Sequence, residues 1–165
     1  MNEQQSAEQF ISLMDAMQGH GFEHYEISNF CKPGHYSRHN SNYWKGVKYL
    51  GIGPSAHSYN GGERQWNVAN NAKYIQAIDA GAITAEIEVL TETDRLNEYI
   101  MTSLRTMWGL ELNRLNSIAP ASSDQVLVAA RRFFDNQWIE QKDEIIYLTS
   151  MGKLYADNIA SGLFF

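Results

Sequence analysis

The chain has 165 residues, 44% of them hydrophobic, with one cysteine and a formal net charge of −6, which fits one domain or two small ones and excludes global disorder. The single cysteine excludes an internal disulfide framework and a self-contained cluster held by several thiolates, and it makes a reducing, cytoplasmic setting the expectation. Acidic and basic residues number nine and six over 1–90, and ten and seven over 91–165; each half is near −3, no basic patch invites nucleic acid, and no apolar run nears the ~20 residues of a membrane span.

Ala7, Phe10, Ile11, Met14 and Met17 repeat at helical spacing, so residues 4–18 read as an amphipathic helix. Asn2 and Gln5 form a plausible cap pair, and Gly19 and Gly21 supply stop signals. A strand is expected over 24–30 and a second over Tyr49–Ile52. Helix, glycine link and strand make one αβ step of a parallel sheet or barrel, which one step cannot cover on both faces. A partner or the rest of a longer chain is therefore expected to complete it, and self-association is the alternative way to cover the exposed surface.

Asn60-Gly61 signals a hairpin, with Arg64–Val68 as the returning strand. Asn70 or Asn71 caps a helix at 72–80 with Tyr74, Ile75 and Ile78 inward, and alternation of Ile83, Ala85, Ile87 and Val89 makes 82–90 extended. A boundary is placed near Thr91, where Thr91-x-x-Asp94 reads as a capping box. A helix is expected from there to Trp108, with Leu96, Ile100, Leu104 and Met107 inward. A link over 110–118 and a helix opened by a Ser122-x-x-Gln125 box follow. Trp138–Gln141 and Ile145–Leu148 then form a hairpin, and Thr149 caps a last helix. That order is winged-helix-like.

The chemistry concentrates between His24 and Tyr59. All five histidines lie in the first 57 residues, with Cys31 among them. Gly51-x-Gly53 after a strand serves either a tight turn or a close ligand approach, and it lacks the third glycine of a dinucleotide fingerprint. Cys31, His35 and His39 stand four apart and suit zinc, with His57 as a fourth ligand, although Pro33-Gly34 interrupts the helical spacing. His39-Asn40-x-x-Tyr43-Trp44 puts two polar and two aromatic side chains in six residues, the make-up of a planar-ligand site or of a self-packed loop. Arg131 and Arg132 are the only adjacent cations of a would-be DNA-reading helix, and Asp124 and Asp135 offset them.

Tyr25-Glu26-Ile27-Ser28-Asn29-Phe30, Pro33-Gly34, His39-Asn40-Ser41-Asn42-Tyr43-Trp44 and Tyr49-Leu50-Gly51-Ile52-Gly53-x-x-Ala56-His57 resemble the radical S-adenosylmethionine (SAM) proteins related to oxygen-independent coproporphyrinogen III oxidase. The branch of haem chaperones, HemW, is the more similar, since His57 stands where the oxidase branch has an apolar residue. Leu148-Thr149-x-x-Gly152 and Gly162-Leu163-Phe164 resemble that family's C-terminal domain.

The resemblance implies an α/β plus α architecture. Residues 1–90 would be the end of a partial (β/α)6 radical SAM barrel with a hairpin and helix, and 91–165 a winged-helix-like C-terminal domain. It implies SAM and a [4Fe–4S] cluster in the parent protein, held by a Cys-x-x-x-Cys-x-x-Cys loop that this chain lacks; none is expected bound to the fragment, which would be catalytically inactive. The parent would be an oxidase acting on a porphyrin side chain, or a chaperone that transfers haem. Gly51, Gly53, Ser55 and His57 match the segment beside SAM. His39, Asn40, Tyr43 and Trp44 match the block that handles haem or porphyrin, and both segments are expected at the carboxyl-end face of the sheet. A non-enzymatic winged-helix module and a small zinc domain on Cys31, His35 and His39 are the competing readings.

Overall fold

The computed structural model describes residues 2–165. The chain divides into two compact units: residues up to Lys45 together with Leu96–Phe165, and Gly46–Arg95.

The first unit opens with α1 (Glu3–Gly19), capped by Asn2, whose side chain accepts from the Gln4 amide at 3.1 Å. The expected stripe of Ala7, Phe10, Ile11, Met14 and Met17 is half-buried, while Glu8, Ser12 and Asp15 between them are exposed. After Gly21 the single strand expected over 24–30 is split. β1 (Glu23–Glu26) and β2 (Asn29–Cys31) form an antiparallel hairpin with a bulge between His24 and Glu26. The reversal is local chemistry. The Glu26 carboxylate accepts from the Ser28 amide at 3.0 Å and from the Asn29 side chain, and closes the turn over Ile27-Ser28. α2 (Arg38–Trp44) follows, capped by Ser37.

The other edge of β1 is taken by residues 105–107. Ile27 N–H donates to Arg105 C=O, and Met107 N–H donates to Tyr25 C=O, both at 3.0 Å, around a Glu26–Thr106 bridge. That pairing ends α4 (Glu92–Leu104) short of the expected Trp108 and leaves Met107 exposed rather than inward. β6 (Leu110–Glu111), α5 (Leu112–Ile118) and α6 (Ser122–Asp135) come next, then the hairpin of β7 (Ile139–Lys142) and β8 (Ile145–Leu148). The three strands pair antiparallel in the order β6-β8-β7.

Ser122 does not cap α6. It sits inside the first turn with its hydroxyl buried and unpartnered among the described residues, and Asn116 Oδ1 accepts from the Ser123 amide instead. Thr149 caps the turn that precedes the last helix rather than the helix itself. Its hydroxyl accepts from Gly152 N–H at 3.0 Å and donates to Gln137 C=O, leading through a short 3-10 turn into α7 (Ala156–Ser161). Gly152 is demanded by packing, because a Cβ there would lie 1.8 Å from Trp138 C=O. Ile100, Leu110, Leu115, Ile146 and Ile159 are fully buried and form the centre of the core.

In the second unit Tyr49–Ile52 is not a strand. Tyr49 exchanges both backbone hydrogen bonds with Tyr59, and Leu50 onward is a loop. β3 (His57–Tyr59) and β4 (Glu63–Asn67) form the expected hairpin, whose turn is closed by Asn60 Oδ1 accepting from the Gly62 and Glu63 amides. β5 (Ala85–Val89) pairs with β4, giving the antiparallel order β3-β4-β5. α3 (Asn71–Asp79) is capped by Asn70. Tyr74 is half-buried as expected, but Ile75 and Ile78 are exposed, because no part of this unit covers that side of the helix. The Thr91–Asp94 box forms in full: Asp94 N–H donates to Thr91 Oγ1 at 3.1 Å, and Thr91 N–H donates to Asp94 Oδ2 at 2.9 Å.

Candidate functional site

The block from His39 to Trp44 is helical, and the helix separates its members. Asn40 and Trp44 are half-buried, whereas His39 and Tyr43 are exposed one turn apart, their rings edge to face at 5.0 Å. Asn40 and Trp44 are tied to a polar chain beneath α2. The Asn40 side-chain amide lies 3.5 Å from Asn29 Oδ1, and Asn29 donates to Glu26. Glu26, 2% exposed, faces Arg105 with Oε1 to Nε at 3.4 Å. The Arg105 guanidinium lies over the Trp44 ring at 5.4 Å and reaches Asp157 Oδ1 at 2.7 Å. Trp44 Nε1 is buried without an acceptor among the described residues. Arg105 was not singled out from the sequence. It lies in the second half of the chain, and nothing local announces that it meets α2.

Residues 51–56 form a loop with a fixed internal frame, and His57 opens β3 after it. Gly51 N–H donates to Ser58 Oγ at 3.0 Å, and Gly53 N–H donates to the Tyr74 hydroxyl at 3.1 Å. Asn67, buried on β4, donates to Gly53 C=O at 2.9 Å and lies 3.4 Å from Gly51 C=O. The two glycines differ in kind. A Cβ on Gly51 would stand 2.1 Å from His57 C=O, so that glycine is required by the loop's own packing. Gly53, at φ +110°, has open space on the corresponding side. Ser55 also adopts positive φ, and its amide donates to Val68 C=O. His57 is exposed beside Trp66, at 6.1 Å between ring centroids. Asn67 is a residue the sequence reading missed. Its signal was a turn-forming amide at the end of an otherwise good strand.

The zinc grouping does not form. Cys31 ends β2, His35 lies in the turn after it, and His39 is on α2 beyond the Ser37 cap, so the three never share a helix face. No three His, Cys, Asp or Glu converge on a metal position among the described residues. Burial, with the nearby Glu23 carboxylate, pushes the Cys31 thiol up, against the thiolate that a metal needs.

This fold has relatives. Residues 90–155 match the family described as the HemN C-terminal domain. The chain is 31% identical over 159 residues to the haem chaperone HemW of Bacillus subtilis, covering 95% of this chain and 42% of that one. It is 32% identical over 153 residues to HemW of Mycobacterium tuberculosis, covering 92% of this chain and 37% of that one. A solved structure of coproporphyrinogen III oxidase (HemN) from Escherichia coli, described as a radical SAM enzyme, superposes with a TM-score of 0.68 at 18% identity. It covers 93% of this chain and 39% of that chain. The chain thus belongs to the HemN/HemW family of radical SAM proteins and matches their C-terminal part. It spans 42% or less of the length of these relatives. No helix among the described residues is long and apolar enough to cross a membrane.

Proposed function

We propose that this chain is the C-terminal portion of a haem-handling radical SAM protein, of the chaperone rather than the oxidase kind. In this reading residues 1–90 complete a SAM barrel and 91–165 form a winged-helix-like domain. The family match beginning at residue 90 and the two curated relatives named as haem chaperones support it.

The observation that carries the reading is the division of labour on α2. Asn40 and Trp44 anchor the helix from below, and His39 and Tyr43 remain at its exposed face. An exposed imidazole can serve as an axial ligand to haem iron, and an adjacent aromatic ring can cover part of a macrocycle. His39 fits that role directly. His57, also exposed, is the second candidate ligand.

A [4Fe–4S] cluster does not fit the residues of this chain. Such a cluster needs several thiolates, and the one cysteine is buried on β2 with its thiol form favoured. The cluster and most SAM contacts are assigned to other parts of the longer protein, and radical chemistry is not expected of this chain alone. Gly53, Ser55 and His57 are the candidates for the SAM side, with Gly53 the open approach. Gly51 contributes there by shaping the loop.

The test is titration of haem into the wild type, His39→Ala and His57→Ala, following the Soret band. A band that saturates in the wild type and shifts or weakens in His39→Ala is expected. An unchanged band in both variants would remove these histidines as ligands, and the exposed face of α2 would lose its assigned role.

A further inference from the structure

A cavity of about 390 Å³ lies within the first unit, between the β1–β2 hairpin, the end of α4 and the β7–β8 hairpin. It is distinct from the exposed face of α2. The lining is apolar in part, with Ile27, Leu104, Met107, Tyr147 and Leu148 among its residues. The charged lining is unequal. Glu26 is matched by Arg105 at 3.4 Å, and Glu140 by Lys142 at 2.7 Å. Lys153, also in the lining, has no carboxylate partner among the described residues.

The Lys153 ammonium makes one hydrogen bond among the described residues. Its Nζ lies 3.0 Å from His24 Nδ1, while His24 Nε2 lies 2.9 Å from Ile27 C=O. The carbonyl can only accept, so Nε2 carries the proton and Nδ1 offers the lone pair to the ammonium. The imidazole is clamped in that orientation, stacked on Phe30 at 4.1 Å with Phe10 edge-on at 5.8 Å. An ammonium has three N–H donors. One is given to His24, and the other two have no protein acceptor among the described residues. Half-buried donors without acceptors are costly unless a ligand or water takes them.

We propose that this cavity binds a small organic monocarboxylate, its carboxylate on the Lys153 ammonium and its apolar body against Met107 and Leu148. The ammonium selects an anion, since Lys153 is the one cation of the lining with no carboxylate partner among the described residues. The apolar part of the lining selects an organic body over a bare inorganic ion. Both ring nitrogens of His24 are occupied, so this site is not a second haem-ligand site and does not depend on the haem reading. Burial also depresses the protonation of both Lys153 and His24, and a bound carboxylate would raise both.

The experiment titrates isotope-labelled chain with hexanoate, hexanamide and inorganic phosphate, and follows backbone amides and the Lys153 side chain by nuclear magnetic resonance. Saturable shifts with hexanoate at Ile27, Thr106 and Lys153 are expected, with a raised Lys153 pKa. Lys153→Met should weaken hexanoate about tenfold or more, the loss of a charge-assisted pair. Lys153→Arg should retain part of the affinity, and Lys73→Met, on α3, should retain all of it. Removing an unmatched buried charge should leave Lys153→Met folded, which its amide spectrum reports. Equal binding of hexanamide would overturn the role of charge. Phosphate binding as tightly as hexanoate would overturn the role of the apolar lining. No saturation with hexanoate, or unchanged affinity in Lys153→Met, would overturn the site.

Discussion

Arg105 and Glu26 face each other at 3.4 Å beneath α2, and the pair joins the N-terminal hairpin to the end of α4. The carboxylate is almost wholly buried, and it also receives the Ser28 amide and the Asn29 side chain. Replacing one member of such a pair strands a buried charge and costs roughly 3–5 kcal/mol. Arg105→Leu is therefore expected to lower stability in that range, and the double variant Glu26→Gln with Arg105→Leu should lose less than the single one. Urea unfolding of the set checks this. A double variant no more stable than Arg105→Leu would mean that the charge pairing is not what holds the junction.

Gly51→Ala places a Cβ where His57 C=O already stands, 2.1 Å away, and backbone on both sides leaves little room to yield. Overpacking of this kind costs typically about 1–3 kcal/mol. The second unit should melt earlier, with the His57 and Asn67 amide signals shifted. A Gly51→Ala chain with the wild-type melting point would show that the loop rearranges freely.

His24 should make stability pH-dependent. Burial holds its folded pKa below the ordinary value, with the Lys153 ammonium lowering it further and Glu26 opposing. The unfolded chain then binds more protons as pH falls below about 6.5. Stability from the neutral imidazole is complete above that value and declines as acid approaches the folded pKa. The urea midpoint should drop between about pH 7.5 and pH 5.5, and drop less in His24→Gln. The same decline in both proteins would place the pH dependence elsewhere.

β5 presents Ile87 at 62% and Val89 at 69% exposure, and the loops that lead into β3 and β5 add Ile52 at 84% and Ile83 at 79%. Apolar surface of this extent drives association unless another surface covers it. Sedimentation should show self-association of the isolated chain, reduced in an Ile87→Glu, Val89→Glu variant that keeps its secondary structure. A wild-type chain that stays monomeric at high concentration would count against the unfinished-barrel reading.

The sequence by itself determined the elements whose causes are local. Asn2, Asn70 and Thr91 cap the helices they precede, Asn60-Gly61 turns the hairpin, and the stripe from Ala7 to Met17 faces inward as its spacing requires. The family motifs were legible for the same reason, being short runs of residues. What only the tertiary structure decided are the relations between distant residues. Residues 105–107 pair with β1 and so end α4 early, which periodicity could not reveal because Met107 keeps the helical spacing. The turn that Glu26 closes over Ile27-Ser28 is local, but a carboxylate closes it where no Gly or Pro signals a turn. The block around His39 looked like one constellation in the sequence. Its split into anchors and an exposed face arises because Arg105 lies under Trp44, a contact that only chain folding brings about.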